Sequence, residues 1–206
     1  MYHGERFNSW SHLVGLVLAV GSASVLMPRV VVRSGDVWHI AGCAVFAAAA
    51  VAVYAASTIY HCSRGARKAF WERVDHCMIY LLIAGTYTPI GLIPLAGGWG
   101  WLLLAAAWGL AATGIVREIR CRKLPAEPAV HLYVAMGWMG LAMALPIARH
   151  VPEPGLAWLL AGALLYSAGL VFYRNAAGWA HAHGTWHVFA LCGTACHFFM
   201  VWNFVP

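Results

Sequence analysis

Charge is scarce in this sequence: of 206 residues, 13 are Lys or Arg and 7 are Asp or Glu. That is 10% charged, against about 25% in ordinary soluble domains. With 62% of residues hydrophobic, a soluble globule of this size is excluded, because it could not hide so much apolar surface. Low-complexity tracts, coiled-coil heptads and a convincing internal repeat are missing as well. Disordered, fibrous and solenoid architectures are therefore set aside.

What is present is a succession of apolar runs. Seven come close to the ~20 residues that a helix needs to cross a bilayer: 10–27, 37–60, 76–95, 98–116, 129–148, 155–174 and 183–205. They use most of the chain, so the prediction is an all-α membrane protein, a single seven-helix transmembrane domain over residues 1–206. The first run is expected to be retained rather than cleaved as a signal peptide, since it is long and Glu5 makes its start poorly basic. Breakers mark short loops: Met27-Pro28, Leu95-Ala96-Gly97-Gly98, Pro125 with Pro128, and Pro152 with Pro154. Pro89, in Gly85-Thr86-Tyr87-Thr88-Pro89, removes a backbone donor inside the third run and predicts a kink. Thr86 and Thr88 are placed to rebond the freed backbone groups.

Orientation follows from the basic residues. Arg6, Arg64, Arg67, Lys68, Arg73, Arg117, Arg120, Arg122, Lys123 and Arg174 fall on one side, and only Arg29, Arg33 and Arg149 on the other. The N-terminus is expected in the cytoplasm and the C-terminus outside, as a multi-pass membrane protein. The net charge of +6 is then a topology signal and not a nucleic-acid signature. The six cysteines form no disulfide framework: Cys62 and Cys121 fall on the reducing side, and Cys43, Cys77, Cys192 and Cys196 lie within spans as small hydrophobes. Oligomeric state carries no signature here.

Ionisable side chains inside a membrane are costly and mark function. His61 ends the second run, Asp75 and His76 open the third, and His183 and His187 open the seventh. With this topology all of them reach the cytoplasmic end. His183 and His187, four apart, share a helix face with Cβ atoms about 5–6 Å apart, and Ser57 lies one turn deeper than His61 on the same face. Three imidazoles and a carboxylate at one depth suit zinc with a fourth position open to water. Glu5, Asn8 and His12 share a face as the first helix begins, either as a cap or as an entrance that holds a substrate headgroup. His197 follows His187 by ten residues, roughly 15 Å along a helix, too far for the same ion. His181 lies off the shared face, and His3, His39, His131 and His150 read as interfacial or loop residues.

These residues resemble the bacterial hemolysin III family, within the superfamily of progestin and adipoQ (adiponectin) receptors. The resemblance rests on Glu5-Arg6-Phe7-Asn8 with His12; Ser57-Thr58-Ile59-Tyr60-His61; Asp75-His76; the Gly85–Pro89 stretch; Gly137-Trp138; Phe172-Tyr173; and His183-Gly184-Thr185-Trp186-His187 followed by His197-Phe198. It implies seven helices, a cytoplasmic N-terminus and zinc held at the positions of His61, His183 and His187. It also implies that Asp75 holds the metal's water, with Ser57 nearby. Three functions stay open on this reading. The chain is an intramembrane zinc hydrolase of lipid amides or esters, ceramidase-like, or a lipid-sensing regulator using the same pocket; it is a pore-forming cytolysin, as the family name implies; or the zinc is a structural clamp in a receptor-like protein. A membrane lipid is the expected substrate or ligand.

Overall fold

Every described crossing of the chain is helical, as a lipid environment requires of backbone that must satisfy its own hydrogen bonds. The computed structural model describes residues 4–120, 129–175 and 177–205, and no strand occurs among them. Helices α1 (Arg6–Arg33), α2 (Val37–Cys62), α3 (Ala66–Leu92) and α4 (Gly98–Arg120) run up and down in order. A fifth crossing is divided into α5 (Val130–Gly137), a 3-10 turn (Met139–Met143) and α6 (Ala144–His150), and α7 (Glu153–Arg174) and α8 (Ala182–Trp202) complete the bundle. Cys121, Arg122, Lys123, Pro125, Pro128 and His3 lie outside the described residues.

Six of the crossings are long and apolar enough to span a bilayer. The exception is α3, whose opening turns carry Arg67, Lys68, Glu72 and Arg73. It is also the most enclosed, packing on α2, α4, α5 and α8. Farther along α3 the polar side chains of His76, Thr86 and Thr88 are tolerated because protein surrounds them. Helices α1 and α8 touch, so the last crossing returns to the first. Small residues allow the close approaches: a methyl on Gly42 would lie 3.0 Å from the Pro89 Cα, and one on Gly85 would lie 2.8 Å from the Ala49 Cβ.

Four expectations about local structure change. Pro28 does not end the first helix; α1 continues through it to Arg33, since one lost backbone bond near a helix end is tolerated. The expected basic loop between His61 and Asp75 shrinks to a turn at 63–65, where Gly65 adopts a φ of +59°, and α3 begins well before Asp75. The Thr86 and Thr88 hydroxyls donate to the Leu82 and Ala84 carbonyls at 2.8 and 2.9 Å, not to the Gly85 carbonyl that Pro89 leaves free. Finally, the run 129–148 is not one continuous helix.

Tyr87 accounts for that break. Its hydroxyl donates to the Gly137 carbonyl (2.9 Å) and accepts from the Gly140 amide (3.1 Å), satisfying backbone groups on both sides of the interruption. Tyr87→Phe leaves both groups unpaired and is expected to cost about 1–3 kcal/mol. The cost is read as a lower thermal midpoint in detergent; an unchanged midpoint would mean the break does not depend on that hydroxyl.

Candidate metal centre

Two helices supply the candidate ligands at one end of the bundle. His61 sits in the last turn of α2, and His183 and His187 occupy the first two turns of α8. Their ligand-capable atoms all lie within 4.8 Å of one another, and His61 and His187 are buried. Ring centroids are 5.2 Å apart for His61–His183, 4.8 Å for His61–His187 and 4.6 Å for His183–His187. Gly184, between the two α8 histidines, has no side chain to collide with Phe7 of α1, and this lets the α1 start close over the cluster.

Hydrogen bonds around two of the rings define which nitrogen each presents. Glu5 Oε2 accepts from His61 Nδ1 at 2.7 Å, and His61 Nε2 is buried without a partner. On α8, His187 Nδ1 lies 3.0 Å from Ser11 Oγ and 3.3 Å from the Asn8 carbonyl. The Ser11 hydroxyl already donates to that same carbonyl at 2.9 Å, and a carbonyl can only accept. His187 Nδ1 must therefore carry the proton, which leaves the Nε2 lone pair for a ligand. Neutral imidazoles offering Nε2, with Nδ1–H held by a carboxylate or a carbonyl, are the donor set that divalent zinc favours. The residues present fit such an ion.

Glu5 stands directly before α1 but makes no side-chain capping bond. Its carboxylate is spent on His61, on the Lys68 ammonium, and on the Asn8 amide, which donates at 2.8 Å. Burial alone would raise the Glu5 carboxyl; these three partners outweigh it and hold the group at about 2. His12 stacks on His187 with centroids 3.6 Å apart and a 19° tilt, over the edge of Tyr54 at 5.3 Å. Both His12 nitrogens are buried without partners.

A cavity of about 410 Å³ opens from this cluster into the bundle, a volume suited to a small-molecule chain or headgroup. His12, Asp75, His183 and His187 line its polar end, and side chains such as Ile83, Leu159, Leu170 and Trp186 line the remainder. Asp75 projects from α3, half-buried because it faces the cavity. Ser57 is fully buried next to Asp75, in a geometry short of a well-formed hydrogen bond. The bundle thus brings His61, His183, His187, Asp75, Ser57, Glu5, Asn8 and His12 to the same end.

Other histidines separate from the site. His197 is buried along the same cavity but lies outside the three-imidazole group, and His181 caps α8 in a left-handed conformation with a φ of +59°. Sequence reasoning missed two features. Ser11 is an unremarkable serine until α8 lies against it. Glu118, within a basic stretch, is fully buried, with Tyr80 at 3.4 Å, Arg117 at 3.1 Å and His76 at 3.9 Å. The only sequence signal for its burial is Gly114 one turn earlier, where α4 makes room for the Tyr80 ring.

Comparison with known proteins places the chain in a family. The family described as "Haemolysin-III related" matches residues 1–198. The chain is 35% identical over 198 residues to a hemolysin-3 homolog of Bacillus subtilis (strain 168), covering 96% of this chain and 92% of that protein. It is 33% identical over 205 residues to hemolysin-3 of Bacillus cereus, covering 98% and 91%. A more distant likeness, 28% over 210 residues, covers 96% of this chain and 83% of the human monocyte to macrophage differentiation factor. With its apolar helices and buried histidine cluster, the chain is a multi-span membrane protein that belongs to the haemolysin-III-related family.

Proposed function

We propose that this chain is a zinc-dependent intramembrane hydrolase that cleaves an amide or ester bond in a membrane lipid. The observation that carries the reading is a group of three imidazoles close enough to share one ion, two of which, His183 and His187, line a largely apolar cavity together with the Asp75 carboxylate. Zinc in such a site supplies Lewis-acid polarisation of a carbonyl and acidifies water. The chain's own residues supply the rest. His61, His183 and His187 hold the ion. Asp75 takes the proton released when water adds to the lipid carbonyl and delivers it to the nitrogen or oxygen that departs as the amide or ester bond breaks. Ser57, buried behind the cavity wall beside Asp75, positions that carboxylate. The apolar stretch of the cavity takes up the acyl chain and keeps bulk water away. The lysis named in the bacterial relatives finds less support, because a conducting pore needs a polar lumen and here the buried ionisable groups other than His197 crowd one end.

Purified protein with about one zinc per chain is expected to hydrolyse at least one of a ceramide, a fatty acyl amide or a phospholipid, detected as released fatty acid. Stoichiometric zinc with no turnover on any of them would overturn the hydrolase and leave a lipid-sensing pocket or a structural clamp.

The working topology is a single domain in the bacterial plasma membrane, with its N-terminus and the metal centre on the cytoplasmic side. It is supported by the concentration of Lys and Arg at that end. Cys62 is exposed beside the α2–α3 turn. In a variant keeping Cys62 as its sole cysteine, a membrane-impermeant maleimide is expected to label only permeabilised cells. Labelling of intact spheroplasts would invert the assignment.

A further inference from the structure

Glu5 and the first two turns of α1 contribute no ligand, yet they touch the far side of two of the three imidazoles. We propose that Glu5 is a positioning residue for the metal centre: its carboxylate holds the His61 ring through Nδ1 so that the buried, unpartnered Nε2 faces the ion. The inference rests on reading the histidine cluster as a metal site.

Several observations separate this role from helix capping. Glu5 occupies the cap position of α1 but makes no side-chain capping bond to an α1 backbone amide. One carboxylate oxygen takes both His61 Nδ1 and the Asn8 amide, and the other takes Lys68 from the start of α3. Helices α1, α2 and α3 are therefore joined through one carboxyl group at 19% side-chain exposure, against an imidazole at 2%. The tautomer of a ring so enclosed is set by its protein partners rather than by bulk solvent. The carboxylate sets it by accepting from Nδ1, which also makes Nε2 a stronger donor. Ser11, two turns along α1, performs the parallel service for His187 as an uncharged partner. The α1 start is thus an outer shell that presets two ligands before any ion arrives. Its charged member is expected to matter more, because a hydrogen bond to an ionised group is about twice as strong as a neutral one.

The test is zinc affinity in detergent micelles, measured by competition with a chromophoric chelator, together with the visible spectrum of the cobalt-substituted protein. Glu5→Gln keeps the shape and removes the charge. It is expected to weaken zinc binding about 10–100-fold, the usual effect of losing an outer-shell partner, and to shift the cobalt bands. Ser11→Ala should weaken binding less. Phe7→Ala removes packing from the same turn and meets only the ring of His181, which is no candidate ligand, and is expected to leave the affinity within about threefold and the cobalt spectrum in place. Wild-type protein that binds no zinc would refute the metal site itself. Wild type that binds with Glu5→Gln unchanged would refute the role of Glu5 alone, as would an equal loss in Phe7→Ala.

Discussion

Replacing His187 with alanine is expected to strip the protein of its zinc and, with it, of its response to chelators. His187 is the ligand most firmly held by protein: Ser11 and the Asn8 carbonyl fix one nitrogen and His12 covers a face. Removing it leaves two imidazoles from different helices and a void beside the His12 ring, so the loss of affinity should exceed the about 10–100-fold of an outer-shell change. The stability consequence follows from linkage. An ion present at ~1,000 times its dissociation constant stabilises the folded state by about 4 kcal/mol. For a chain of this size that corresponds to a midpoint shift of roughly 8–16 °C. Wild-type protein should therefore melt lower by that order when treated with a strong chelator, and His187→Ala should not respond. A chelator-insensitive wild type would mean that the three imidazoles hold no ion.

Asp75→Asn is expected to separate metal binding from turnover. Asparagine nearly reproduces the carboxylate in shape and can still accept a hydrogen bond, but it cannot take a proton. Asp75 lies outside the three-imidazole group while facing the same cavity. The variant should therefore retain zinc near one per chain and lose about 10²–10⁴-fold in kcat, the usual worth of a positioned general base. Zinc content and fatty-acid release from whichever lipid the wild type cleaves are the two measurements. Full activity in the asparagine variant would remove Asp75 from the chemistry, and loss of zinc would make it a ligand or a support for one.

Several of these features are legible in the residues alone. Runs of apolar side chains too long for a soluble core demand helices across a bilayer, because hydrocarbon leaves backbone groups no other partner. The four-residue interval between His183 and His187 puts both rings on one face, since side chains three or four apart in a helix are neighbours. Antiparallel succession then puts the end of α2, the early turns of α3 and the beginnings of α1 and α8 at one depth. The burial of Glu118 was not legible, nor was the use of Tyr87 to close the break after Gly137. A carboxylate next to Arg117 reads as solvated until Tyr80 and His76 come over it. The Gly85–Pro89 stretch reads as a kink, and nothing in its spacing says that the Tyr87 hydroxyl serves another helix.

Depth and local spacing were therefore settled by the order of residues, because rise per residue and helical period are properties of the backbone. Rotation about each helix axis was not. A helix apolar on nearly all sides carries little signal of which face meets its neighbour, and lipid accepts almost any of them. Packing made that choice: Gly184 admits Phe7, α1 closes on α2 and α8, and the Glu5 carboxylate reaches the back of the His61 ring. Contacts between residues 56 positions apart come from that rotation, and only the assembled bundle determines it.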